Sequence, residues 1–307
     1  MPLLERVQDL AVKIETTPGT AESLAASEGT IQVYDIEGGP EIDMTDRPRA
    51  GNLGNLAGVT GMRVGRIRFR SEFIGGATDP AWATALLPPC GYATSAANGS
   101  YKPRSEAPGT LVKCATFGWY QNGRFASIFG ASGNFDIQFE SGKPIFILWD
   151  FTGLWGGLTS AAIIAPTKET ALPIRFASAA LGIGSTTAVI GRMNIRSNNT
   201  IEIRPHGAGA NATGGLTALI SSRRPKVVID PEAVLPAAQD HWGNYLSHTT
   251  AALSGLFGTS GNRVTITAPA LQVASPQFQR RQGMFADQLE FDCISTTADN
   301  ELVIGFD

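Results

Sequence analysis

The chain has 307 residues, enough for one large domain or two ordinary ones, and 43% apolar against 17% charged residues supports a core and excludes disorder by composition. A net charge of −3 excludes a general attraction to nucleic acid or anionic membrane. Three widely spaced cysteines, Cys90, Cys114 and Cys293, form no CxxC pair, which excludes a disulfide framework and a zinc cluster and points to a reducing compartment.

With 35 glycines and 18 prolines, many short strands are expected rather than long helices. The opening "MPLLERVQDLAVKIETTPGT" is charged early and holds no uninterrupted apolar run. No segment reaches transmembrane length, so a soluble protein made in the cytoplasm is expected. Residues 1–12 read as a short helix, and "TTPGTAESLAASEG" as an arm. "TIQVYDIE" alternates as a strand. The polar, glycine-rich stretch from Gly38 to Gly61 reads as a long loop. "RVGRIRFRSEF" places Ile67 and Phe69 on one face and Arg66, Arg68 and Arg70 on the other, as in a half-buried strand.

"DPAWATALLPPCGY" reads as a helix capped by Asp79, with Pro80 at its first position. "TLVKCATFGWY", "RFASIFGASGNFDIQFES" and "KPIFILWDFTGLW" are strands, joined at Asn122-Gly123 and at "ESGKP". Residues 156–173 form a connector. The order of features then recurs. "NTIEIRP" follows "TIQVYDIE", "HGAGANATGG" takes the place of Gly38–Gly61, and "RRPKVVIDPE" that of "RVGRIRFRSEF". "DHWGNYLSHTTAALSG" is a second capped helix with its own tryptophan. Arg66 and Lys226, like Trp82 and Trp242, stand 160 residues apart. "NRVTITAPALQV" and "ADQLEFDCIS" repeat the later strands. The expectation is a mainly β chain of two tandem β-sandwich or barrel-like domains, 1–160 with the arm and 161–307, each with a flanking helix. The alternative is one large β-rich domain in which Trp82 and Trp242 are unrelated.

No enzyme signature survives inspection, so no catalytic, cofactor or metal residue is expected. Gly207, Gly209 and Ala212 spell a dinucleotide fingerprint, but the strand before them is charged and ends at Pro205, with no room for a long helix after them. His206, His241 and His248 lack companions for a metal site. Cys90 reads as a small buried residue. Asp136 with Glu140, and Glu290 with Asp292, read as a solvated strand face or the lining of a water-filled passage. The basic clusters (Arg63 to Arg70, Arg223, Arg224 and Lys226, Arg280 and Arg281) read as partners for a neighbouring subunit's acidic loop such as "EIDMTDRP", in preference to phosphate contacts.

"VKIETTPGTAESL", "LLPPCGY", "GASGNFDIQFESGKP" and "FTGLW" resemble the first half of the tail tube (major tail) proteins of long-tailed, non-contractile bacteriophages. "SRRPKVVIDPE", "ITAPALQV" and "QFQRRQGMFADQLEF" resemble the second half. The resemblance spans nearly the whole chain in feature order, on motifs that are each soft. It implies a structural virion protein without enzymatic activity, whose subunits form stacked rings around a channel for DNA ejection. Two tube domains per chain would let three chains complete a pseudo-hexameric ring, where single-domain relatives need six. The implied partners are further copies of the chain, the tail terminator, distal tail and tape measure proteins, and DNA that passes without specific binding; no membrane is involved. The implied location is the virion tail, after assembly in the host bacterial cytoplasm. Another tail component, a terminator or baseplate ring protein, is the alternative. The assembly residues expected are Lys13, Glu15, Thr16 and Gly19 in the arm; Asp43, Asp46, Arg47, Asn52 and Asn55 in the first loop; Arg66, Arg68 and Arg70; His206 and Asn211 in the second loop; and Arg223 and Arg224.

Overall fold

The computed structural model describes residues 3–95, 99–105, 113–177, 179–184, 189–208 and 213–307. Its strands are β1 (Gln8–Ile14), β2 (Val33–Pro48), β3 (Asn55–Glu72), β4 (Tyr92–Ser95), β5 (Ser100–Pro103), β6 (Ala115–Gln121), β7 (Arg124–Glu140), β8 (Phe146–Ser160), β9 (Ala180–Ile183), β10 (Ile190–Arg196), β11 (Asn199–Pro205), β12 (Gly215–Arg223), β13 (Lys226–Pro231), β14 (Thr250–Thr259), β15 (Asn262–Arg281), β16 (Met284–Ile294) and β17 (Val303–Phe306). The helices are α1 (Ala81–Leu86) and α2 (His241–Ser247). The fold is mainly β, as the glycine and proline content and the alternating segments predict.

Two stretches of the sheet share one strand order. In the first half it runs β1-β6-β7-β8-β3-β2, every pair antiparallel. In the second it runs β9-β14-β15-β16-β13-β10, again antiparallel throughout. The halves meet where the C-terminal part of β7 pairs with β10, Glu140 opposite Arg192 and Asp136 opposite Arg196. Eight strands, β2-β3-β8-β7-β10-β13-β16-β15, therefore lie side by side in one sheet. β11 and β12 form a separate hairpin between β10 and β13.

The core lies on one side of that sheet. Alternation aims Ile67 and Phe69 of β3, Ile147, Trp149 and Phe151 of β8, and Phe135 and Ile137 of β7 inward, all buried. β6 packs over them, with Phe117 4.6 Å from Phe151 and 6.2 Å from Phe69 between ring centroids. α1 adds Trp82, whose indole N–H donates to the Ile74 carbonyl at 3.0 Å.

Several expectations need correction. Residues 8–14 form a strand, not a helix. Leu10, Ala11 and Val12 are buried in succession, and pairing with β6 supplies the backbone partners a short helix would have had to find internally. The stretch from Gly38 to Gly61 is mostly a two-stranded ribbon, since β2 runs to Pro48 and β3 begins at Asn55. Pro80, not Asp79, is the α1 N-cap, and the Asp79 carboxylate accepts from the Tyr101 hydroxyl instead. Asp240 does cap α2, accepting from the Gly243 N–H at 2.7 Å, but that helix ends at Ser247, and Thr250 starts β14. The turn at Asn122-Gly123 has positive φ at both residues, as a tight hairpin requires.

Candidate assembly surfaces

The outward face of the eight-strand sheet is polar, and acid and base alternate across it. Arg66 and Arg68 of β3 both reach Asp150 of β8, Arg68 at 3.0 Å, and Arg66 also lies 4.0 Å from Glu41 of β2. Arg70 pairs with Asp35. Asp136 of β7 holds Arg196 at 3.2 Å, and Glu140 lies 3.6 Å from Arg192. Arg224 pairs with Asp292 and Lys226 with Glu290. The acid that neutralises Arg66, Arg68 and Arg70 thus belongs to the same chain, on the neighbouring strands, rather than to another subunit's loop. Such solvent-screened pairs contribute little stability each. Their effect is to cancel charge over the whole face.

The N-terminal arm is pinned to its own chain. Lys13 pairs with Glu22 at 3.2 Å, and the Glu22 carboxylate also accepts from the Thr16 N–H at 3.0 Å. Glu15 is buried and accepts from the Gly19 N–H (2.7 Å), the Thr116 hydroxyl (2.9 Å) and the Gly130 N–H (2.5 Å). Burial pushes its carboxyl above the usual carboxylate range, against the pull of those three donors. Gly19 has φ +82, and a Cβ there would meet the Leu216 carbonyl oxygen at 2.1 Å, so only glycine fits.

The distal half of the β2–β3 ribbon carries Asp43, Asp46, Arg47, Asn52 and Asn55. Arg47 donates to the Ala57 carbonyl at 3.3 Å, the Asn52 side chain accepts from the Gly54 N–H at 2.9 Å, and Asn55 sits opposite Pro48. Met44, Leu53, Leu56 and Val59 are exposed along it. A bare two-stranded ribbon is marginal in water.

Its counterpart in the second half lies on the first half. In the β11–β12 hairpin, the Thr217 hydroxyl donates to the Gly130 carbonyl, and the Asn199 amide to the Gly133 and Cys90 carbonyls, both at 2.9 Å. His206 closes the hairpin, its N–H donating to the Gly214 carbonyl at 2.9 Å, and the Arg63 N–H ties Thr213 to β3 at 2.8 Å. A strand rather than a helix follows this loop, so the phosphate-cradle geometry is missing on the described side. Asn211, with Gly209 and Ala212 of the fingerprint, lies outside the described residues. Arg223 is held by Asp299, Glu301 and the Arg104 carbonyl.

One surface was not anticipated from the sequence. Trp242 of α2 stacks on Phe278 of β15, with ring centroids 4.6 Å apart. With Val234, Leu235 and Phe285 they line an open apolar groove of about 940 Å³. Arg280 lies over the Phe285 ring at 5.7 Å. The signal was present in "QFQRRQGMFADQ", where Phe278, Met284 and Phe285 flank a turn with no apolar periodicity to bury them. Elsewhere, the three cysteines are buried free thiols. Burial raises Cys90 and pushes Cys293 up to about 12, which removes them as nucleophiles. Among the described residues, no His/Cys/Asp/Glu group is placed to hold a metal ion and no helix is long and apolar enough to cross a membrane. No protein-family model matches the chain, and no curated protein matches it in sequence.

Proposed function

We propose that the chain is the tail tube subunit of a long-tailed bacteriophage, a structural virion protein with two tube modules per chain, assembled in the bacterial cytoplasm into rings that stack around a DNA channel. The observation that carries this reading is the eight-strand sheet with one apolar and one charge-cancelled face. Three such sheets joined edge to edge give a barrel about 48 Å across between backbones, taking strands ~4.8 Å apart and tilted by roughly 40°. Its polar face would line the channel. A conduit for DNA has to avoid holding phosphates, and a wall whose arginines are already paired does so. Closure also removes the sheet edges, which otherwise invite uncontrolled pairing. The resemblance of the sequence motifs to tail tube proteins points the same way.

The test is electron microscopy of the purified chain and of a variant lacking residues 51–61, the tip of the β2–β3 ribbon. The full chain is expected to form long tubes with an axial channel. The deletion is expected to stay folded and to form none. Growth that stops at single rings would instead favour a tail terminator or baseplate component. Long tubes from the deletion variant would overturn the role given to the ribbon.

A further inference from the structure

The ladders align the two halves residue by residue. Arg66 faces Thr152 as Lys226 faces Asp292, and the Phe73 N–H donates to the Ile145 carbonyl (3.2 Å) as the Ala233 N–H does to the Phe285 carbonyl (3.0 Å). Corresponding side chains then differ in one respect. Trp82, Leu86, Ile137 and Ile145 are at most 1% exposed, whereas Trp242, Leu246, Phe278 and Phe285 are 37%, 76%, 79% and 69% exposed.

What buries the first set is the second half of the same chain. The segment ahead of β9 lies along the β7–β8 turn. Ile145 donates to the Ile174 carbonyl, Ile174 to Phe73, Phe176 to Lys143 and Gly142 to Phe176, each at 2.9 Å. Phe176 and Phe257 pack on Phe139, with centroids 5.5 and 4.8 Å away, and Phe306 packs on Trp82 at 5.4 Å. In the second half the same frame stands open, and the Nε2 atom of buried His241 has no hydrogen-bond partner.

We infer that a second copy of this chain closes that open end head to tail, laying its β2 along the free edge of β15 and its Leu3–Glu5 segment over the groove of Trp242, Phe278 and Phe285. The covering segment follows from strand order. β1 holds the place in the first half that β9 holds in the second, with Val12 beside Phe117 as Ile183 is beside Leu253. Ile174 precedes Ile183 by the same interval as Leu3 precedes Val12, and Leu3 and Leu4 are exposed.

The strand joint follows in the same way from β7–β10. Gln138 faces Asn194 there, and their counterparts are Gln279 and Glu37. That register sets Phe278 against Gly38, where no side chain blocks it. It also sets Pro276 against Pro40, so both strands lose their N–H donor at the same end of the joint, as edge prolines do. The charges fit with signs reversed. Within the chain, acidic β7 (Asp136, Glu140) meets basic β10 (Arg192, Arg196). Between copies, Arg281 of β15, which its own chain pairs with Asp230 and Glu232, falls opposite Asp35 of β2 with Glu37 beside it. Placing β2 on β7 would set acid against acid, so each edge discriminates its own partner. The contact is heterologous and closes only as a ring. The tube reading enters here only through the number of copies.

The test is oxidative cross-linking of cysteine variants. Glu37→Cys and Gln279→Cys are made as separate chains and mixed at high concentration. Directly opposed antiparallel residues lie within disulfide reach, and the three native cysteines are buried. The mixture is expected to give a covalent dimer, and the doubly substituted chain a ladder ending at the closed ring. Glu37→Cys mixed with Arg124→Cys, at the β6–β7 turn, is the control and is expected to give none. A Leu3→Asp/Leu4→Asp chain, altered only at exposed positions, is expected to keep its melting temperature and lose the cross-link at least tenfold. No cross-link above control, or one unaffected by the Leu3/Leu4 change, overturns the inference. Cross-linked rings that never stack into tubes would leave it standing and defeat the tube reading.

Discussion

Trp82 and Trp242 start corresponding helices after corresponding strands, yet one is sealed in the core and the other lies stacked on Phe278 at the surface. The difference does not originate in the local sequence, since both helices are short and both tryptophans sit one residue in from the helix start. It originates in what lies opposite. The first half has the second half to cover it, through Ile174, Phe176, Phe257 and Phe306, and the second half of an isolated chain has nothing. An apolar end left open at one position and closed at its counterpart is what the proposed head-to-tail contact accounts for.

The comparison can be broken by the same substitution at both places. Trp82→Ala removes a fully buried indole and its hydrogen bond to Ile74, and is expected to cost about 3–5 kcal/mol of monomer stability in denaturant melts. Trp242→Ala is expected to leave the monomer within ~1 kcal/mol and to weaken assembly by ~2 kcal/mol or more, as removal of an interface anchor does. Light scattering against concentration would read it as a thirtyfold or larger rise in the assembly threshold. Equal losses of monomer stability would abolish the distinction.

A second comparison concerns the arms. The first-half arm is tied down through Glu15, whose folded carboxyl binds its proton more tightly than the unfolded chain does. A group raised in this way contributes most stability below its unfolded value, and that contribution is lost as pH rises through the folded value. Relative to Glu15→Gln, the native chain should therefore lose ground as pH rises above the ordinary glutamate range. Paired urea melts across that rise check it, and a difference independent of pH would contradict the burial argument. The smallest effect sharpens the contrast between the two helices. Asp240→Ala removes the α2 cap and should cost about 1 kcal/mol, whereas Asp79→Ala leaves the α1 cap, Pro80, untouched and loses instead the bond from the Tyr101 hydroxyl.

Much of the fold was readable in the chain. Alternation along Val64 to Phe73 identifies β3 and its two faces, and Asn122-Gly123 identifies a hairpin; "RRPKVVIDPE" holds β13, the counterpart of β3, but the counterpart of "TIQVYDIE" is β10, whereas "NTIEIRP" forms β11 of the separate hairpin. The errors have physical causes. Leu10, Ala11 and Val12 are buried in succession because β1 sits under other elements, so their apolar run carries no strand period. The glycines of 38–61 hide a ribbon because cross-strand backbone bonds hold it, with few side chains contributing. Arg66 and Arg68 read as partners of another subunit because Asp150, their partner, is some eighty residues away in sequence and adjacent only after β3 pairs with β8. The groove was missed because its residues come from a helix, a turn and a strand end, which no local pattern joins.

The most direct test of the central claim is a rotationally averaged electron micrograph of tubes grown from the purified chain. The account predicts a closed ring of three chains with six similar lobes around an open channel. Chains that stay separate at high concentration, or paired two-fold through the same groove, would contradict it.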